Sequence, residues 1–283
     1  MIENHLKENW GTEYRISTEE FFSFDEKFWR KKIYERGLLI FKEMKFNKPQ
    51  YVNFCKRFGR LWEKDDYLYS YESTEAVQVD NQEHYISPFS NILSRRLGNH
   101  TMPWHADIPN RTRDPYPMRS LWITKNPFPQ ISGKTTWMNL DFCFEHLTEQ
   151  QKEILDRVTI VQQSWYEPGT DIKEFPFVKT HPITGKKSLR LNHYNDQNQK
   201  TEDAWITGVK IDGVLQSDCS LIKNFLTHLE NKTDLIYQHT WDTFDIAIYD
   251  NWSFVHGRTR VIPGPNGERH FYRVNIDHDL NHF

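Results

Sequence analysis

Apolar residues come in short bursts along this chain, and the spacing within each burst changes. Leu38-Leu39-Ile40-Phe41 is a continuous run of strand length just after Gly37, the pattern of a buried strand. Before it, residues 21–35 place Phe22, Phe28, Trp29 and Ile33 on one side of a helix that Gly37 stops. After it, Asn47-Lys48-Pro49 opens a helix in which Tyr51, Phe54, Cys55 and Phe58 recur at helical spacing up to Gly59. Residues 141–157 predict a further helix, with Phe142, Phe144, Leu147 and Ile154 as its buried side, and residues 217–229 another. Short strands are expected at 120–123, 159–161, 188–192, 245–249 and 271–276, separated by Gly and Pro turns. Residues 65–71, 81–101 and 108–117 show no clear period and predict loops, long enough to serve as lids or binding segments.

Many short strands with non-local partners and a few packed helices describe a mainly β fold with peripheral helices: a double-stranded β-helix, the cupin-like jelly roll. No repeat, linker or low-complexity segment divides the chain, so residues 1–283 are expected to form a single domain. The 10 Trp, 13 Tyr and 19 Phe supply a substantial core although only 37% of residues are hydrophobic. A net charge of -3 with scattered basic residues argues against a nucleic-acid partner. Cys55, Cys143 and Cys219 are far apart and odd in number, which argues against a disulfide framework and for a reducing compartment. The first residues have neither a basic n-region nor an apolar h-region, and no later run is apolar enough to span a membrane. The expectation is a cytoplasmic protein with a small-molecule partner and no membrane partner, free to form a homo-oligomer.

Chemistry enters with Trp104-His105-Ala106-Asp107. Successive side chains of an extended strand point to opposite faces, so His105 and Asp107 project the same way and can share one cation. One distant histidine would complete two imidazoles and a carboxylate, the facial triad of Fe(II) oxygenases. A His-x-Asp pair alone is common among surface polar residues, and its neighbours decide its meaning. Those neighbours are Asp245-Ile246-Ala247-Ile248-Tyr249 leading into Asp250-Asn251, and the late stretch Arg269-His270-Phe271-Tyr272-Arg273-Val274-Asn275-Ile276. Further matches are Glu35-Arg36-Gly37-Leu38-Leu39-Ile40-Phe41, Arg57-Phe58-Gly59, Gly133-Lys134-Thr135-Thr136-Trp137, and the run from Thr180-His181-Pro182 to Lys187-Ser188-Leu189. Over most of its length the chain resembles the taurine/2-oxoglutarate dioxygenase family.

The resemblance implies a site. His256, which follows Asp250-Asn251 at the family spacing, is preferred over His239, His270 and His278 as the third ligand, so Fe(II) would be held by His105, Asp107 and His256. Three adjacent positions stay open, two for 2-oxoglutarate as chelating co-substrate and one for O2. Fe(II), one aspartate and dianionic 2-oxoglutarate sum to one negative charge, so a cation is required nearby. Arg273 matches the family arginine that grips the far carboxylate of 2-oxoglutarate, a task that suits a guanidinium fork, and Thr135 matches the hydroxyl that assists it. Arg269, four residues earlier, matches a position that relatives use for an anionic group of the substrate. Arg190, where relatives tend to place an apolar ring, and Asn192 in the same expected strand join it as substrate-binding candidates.

The implied reaction hydroxylates an unactivated C–H bond of a small anionic or zwitterionic substrate, amino-acid-like or sulfonate-like, and releases succinate and CO2. Asp107 disfavours a halogenase, whose relatives carry Gly or Ala there. Two features depart from the family: Trp252 stands where arginine is frequent, and Pro263-Gly264-Pro265-Asn266-Gly267 lengthens the loop after His256. The tyrosines at 67–71 fit either closure over the pocket or plain packing. The competing readings are a non-catalytic cupin-like metal or ligand binder, and a zinc hydrolase. The first must explain four intact site residues, and the second leaves Thr135 and Arg273 without a role.

Overall fold

The computed structural model describes residues 1–62, 87–90, 101–107, 117–130, 133–163, 172–192, 206–261 and 269–277. The amino-terminal part runs β1 (Ile2–His5), β2 (Thr12–Arg15), α1 (Thr18–Ser23), α2 (Glu26–Arg36), β3 (Leu38–Phe41), α3 (Lys48–Lys56). Next come β4 (Ser87–Ser90), β5 (Met102–His105), β6 (Met118–Lys125), β7 (Thr135–Asn139), α4 (Leu140–Glu145), α5 (Glu149–Asp156), β8 (Val158–Gln163) and β9 (Ile172–Pro176). The chain continues through β10 (Val178–Thr180), β11 (Lys187–Leu189), β12 (Ile206–Ile211), β13 (Val214–Leu215), α6 (Ser220–Glu230), β14 (Ile236–His239), β15 (Ile246–Asp250), β16 (Phe254–Arg258) and β17 (His270–Ile276).

Caps explain where these helices depart from the apolar pattern. The helix expected over 21–35 is two helices, because Asp25 turns extended and its side chain accepts from Phe28 N, starting α2 afresh. The helix expected over 141–157 is also divided: Thr148 and Gln151 form a capping box that opens α5. That restart rotates the buried face, so Ile154 is 38% exposed and Leu155 takes the inward place. α3 opens at Asn47 as expected, and Gln50 adds a capping box that the sequence reading did not include. Gly37 ends α2 with φ 71°, and a Cβ there would lie 2.3 Å from the Phe254 ring, so both the turn and the close approach require glycine.

Two sheets form the jelly roll. The large one has seven strands in the order β1-β2-β3-β15-β6-β17-β4, and the small one four in the order β14-β7-β16-β5. The outer face of the large sheet, with Leu39, Phe41, Trp122, Ile246, Ile248, Val274 and Ile276, packs under the helices against Phe21, Trp29, Phe54 and Phe58. Its inner face meets the small sheet through Leu38, Ile40, Leu121, Ile123, Ala247, Tyr249, Trp137 and Phe254. A third sheet, β13-β12-β8-β9, carries the amphipathic α6, whose Ile222, Leu226 and Leu229 are buried in a separate cluster.

Three further expectations change. Residues 81–101, read as loop, contain β4, which pairs with β17 at the sheet edge. The strand expected over 188–192 stops at Leu189, leaving Arg190 and Asn192 beyond its end. The strand expected over 120–123 is longer and begins at Met118, which brings Arg119 into the sheet. Residues 65–71, 108–116 and 263–267, and His278, lie outside the described residues. Cys55, Cys143 and Cys219 are buried free thiols, and no described helix is long and apolar enough to cross a membrane.

Candidate metal centre

Strand pairing brings the two histidines together. β16 runs antiparallel to β5 with His256 directly opposite His105, and the two rings lie 4.2 Å apart. Asp107 stands two residues past the end of β5 and is tied to the turn between β15 and β16. Its backbone N–H donates to Asn251 Oδ1 at 3.0 Å, and Asn251 Nδ2 donates to its carbonyl at 2.8 Å. The donor atoms of His105, Asp107 and His256 all lie within 4.8 Å of one another, and no other such group occurs among the described residues. His105 Nδ1 donates to the Pro103 carbonyl at 2.8 Å, which fixes its tautomer and leaves Nε2 as the nitrogen able to ligate an ion. His256 Nε2 faces Asp107 Oδ2 at 3.3 Å.

Electrostatics prepares these side chains to bind a cation. Burial disfavours the charged imidazole, so His105 titrates below its ordinary range, and burial followed by the neighbouring His105 brings His256 down to about 3. Burial opposes ionisation of Asp107, but Arg119, then His256, His105 and Arg273, outweigh it and hold the carboxyl well below its usual range. The Arg119 guanidinium, itself buried, lies 2.5 Å from Asp107 Oδ1. The Tyr249 hydroxyl donates to Asp107 Oδ2 at 3.1 Å and lies 3.5 Å from His256 Nε2. Burial, and after it Asp107, keep that phenol protonated. Two neutral imidazoles and an ionised carboxylate whose donor atoms lie within 4.8 Å of one another fit a divalent ion.

The remaining expected residues fall into two groups. Thr135 is buried opposite Arg258 in the β7–β16 ladder and accepts from Trp241 Nε1 at 2.9 Å. Arg269 is 2% exposed, its guanidinium 4.8 Å from the Phe271 ring, and a Cβ on Gly133 would lie 3.2 Å from its Nη1. Burial, then Arg258, pulls Arg269 down to about 9. Arg273 is half-buried and adds to the field on Asp107 and Tyr249. Arg269 is thus the deeper arginine, on the Gly133–Thr135 side, while Arg273 acts on Asp107. Asn192 donates to the Ala106 carbonyl at 3.3 Å, inside the His-x-Asp segment. Arg190 is buried, with its guanidinium 4.5 Å from the Phe175 ring.

Sequence reasoning missed Arg119, Tyr249, Asn275 and Arg258. An inward arginine alternating with Leu121 and Ile123 was the available signal for the first, once the strand is begun at Met118.

The family model described as taurine catabolism dioxygenase TauD, TfdA family matches residues 3–275. The chain is 26% identical over 185 residues to an alkylsulfatase of Acinetobacter baylyi, a match covering 58% of this chain and 53% of that protein. It is 24% identical to an alpha-ketoglutarate-dependent sulfate ester dioxygenase of Pseudomonas putida, covering 58% of this chain and 56% of that one. The matches therefore span about half the length of these two relatives. The crystal structure of a taurine dioxygenase from Burkholderia xenovorans superposes with a TM-score of 0.70 at 18% identity, covering 97% of this chain and 90% of the other, which shows the shared fold.

Proposed function

The chain belongs to the TauD, TfdA family, and from that premise we propose that it is an Fe(II)- and 2-oxoglutarate-dependent dioxygenase that hydroxylates a small organic anion. The observation that carries the reading is the convergence of His105, Asp107 and His256 within 4.8 Å beside Arg119 and Arg273. When bound, Fe(II) with 2-oxoglutarate and O2 would supply the oxidising power, with succinate and CO2 released.

The chain's own side chains do the rest. His105, Asp107 and His256 hold the ion, and the depressed pKa values of all three mean that no proton has to leave before it binds. The division between the two arginines is the exchange of the one first expected. Arg269, deep beside the Gly133–Thr135 corner, suits the far carboxylate of a co-substrate that binds first, and Thr135 supplies a hydroxyl there. Arg273, half-buried beside the metal ligands, suits the anionic group of the primary substrate at the open side. Asn192, held against Ala106, would line the same pocket, whereas Arg190 on the Phe175 ring is left as a wall residue. Relatives named for sulfate esters and taurine point to a sulfate, sulfonate or zwitterionic substrate.

A panel of alkyl sulfates, sulfonates, amino sulfonates and amino acids, scored by succinate release in air, tests the reading. At least one sulfur oxyanion should raise succinate above the substrate-free rate, and Arg273→Leu should lower kcat/KM for it by about 100-fold, the loss expected for one partner of a desolvated charge pair. The same variant should leave 2-oxoglutarate affinity nearly unchanged. Loss of 2-oxoglutarate affinity instead would return Arg273 to the co-substrate role.

A further inference from the structure

We propose that Arg119 is a positioning residue that restricts Asp107 to one metal-facing oxygen and so keeps open the coordination position that a chelating 2-oxo acid has to enter. The inference rests on the Fe(II)/2-oxoglutarate reading above.

The observations lie on one transverse row of the large sheet. Tyr249 on β15 is directly opposite Arg119 on β6, and Arg119 is directly opposite Asn275 on β17. Side chains opposed in adjacent strands share a face, so the row presents a phenol, a guanidinium and an amide to Asp107, which arrives from the small sheet. The two Asp107 oxygens are divided between two of them: Oδ1 lies 2.5 Å from Arg119 Nη1, while Oδ2 accepts from Tyr249 and faces His256 Nε2. The guanidinium is itself oriented, because Arg119 Nε donates to Asn275 Oδ1 at 2.8 Å. Arg119 is 6% exposed and Asn275 1%.

The chemistry follows from what a carboxylate can do. An aspartate binds a cation through one oxygen or through both. In a six-coordinate ion with three protein ligands, the second oxygen would compete for one of the three positions shared by the 2-oxo acid and O2. Swinging Oδ1 onto the ion would strip a buried guanidinium of its counter-charge, which is costly in a desolvated setting. The ion pair thus selects the one-oxygen geometry, and Asn275 prevents the guanidinium from following the carboxylate.

The test uses the full-length protein and compares Arg119→Met, of similar length and uncharged, with Arg119→Lys, which keeps the charge without the fork. Mn(II) binding is followed by loss of the free-ion EPR signal. 2-Oxoglutarate binding is followed anaerobically with Fe(II) through the visible charge-transfer band of the chelate. Arg119→Met should retain Mn(II), while its 2-oxoglutarate dissociation constant rises on the order of 10-fold, the size typical of changes just outside a ligand set, and the band shifts. Arg119→Lys should recover part of that loss. Wild-type 2-oxoglutarate affinity and an unshifted band in Arg119→Met would overturn the proposal, as would an equal loss of Mn(II) and 2-oxoglutarate in both variants. If Arg119→Met fails to fold, Arg119→Lys decides alone, because an unmoved band there also overturns it. A wild-type protein that forms no band would sink the oxygenase reading itself, an outcome separate from either of these.

Discussion

The two faces of the large sheet use the same strands for opposite ends. On β6, β15 and β17, Trp122, Ile248, Val274 and Ile276 point outward into the helix-covered aromatic core, whereas Arg119, Tyr249, Arg273 and Asn275 point inward to the Asp107 carboxylate or its neighbourhood. Outside, Trp29 stacks on Phe21 at 4.6 Å and meets Phe41 edge-on at 5.3 Å, and no charge is involved. Inside, burial that would stabilise an apolar ring instead shifts titrations, neutralising two histidines and loading one aspartate with cationic neighbours. Alternation along a strand thus lets one element supply stability on one side and reactivity on the other.

Substitutions in the layers packed against the two faces, His256 on β16 and Trp29 on α2, should therefore separate binding from stability. His256→Ala on the inner side is expected to abolish Mn(II) binding and substrate-dependent succinate release, with a thermal midpoint close to that of the parent. Trp29→Ala on the outer side is expected to cost about 3–5 kcal/mol, read from the urea midpoint, while the fraction that stays folded binds Mn(II) with unchanged affinity. A His256→Ala protein that unfolds, or a Trp29→Ala protein that is stable but blind to metal, would break the comparison.

A smaller effect should come from Asp141, a buried acid outside the site. Burial, and then the nearby Asp250, raise its carboxyl above the ordinary value of 3.8. The folded chain therefore holds a proton there more tightly than the unfolded chain does. The penalty is absent below the unfolded range and grows as pH rises through it. Asp141→Asn should raise the thermal midpoint at pH 7 by about 2–4 °C for each kcal/mol relieved, and by much less near pH 4. Equal shifts at both values would remove the electrostatic cause.

How much of this was legible in the sequence depends on which physics wrote each feature. Helix α3 was readable because Asn47 and Pro49 act within one turn, while the Gln50 half of its cap was not read. The nearness of His105 and Asp107 was readable from spacing, although Asp107 lies past the strand end and is held by Asn251 rather than by strand pleat. The breaks at Asp25 and Thr148 were hidden because the apolar period runs across them and only the local caps end it. Arg119 was hidden for a different reason. Its partners Asp107, Tyr249 and Asn275 come from other segments of the chain, and only the sheet register places them in one row.

The central claim is that three side chains hold one Fe(II) with room for a chelating 2-oxo acid, and anaerobic difference spectroscopy reads that event directly. Fe(II) and 2-oxoglutarate added together to the metal-free protein should give a visible charge-transfer band that neither gives alone and that His256→Ala does not form. A colourless wild-type mixture that also makes no succinate on admission of air would contradict the account.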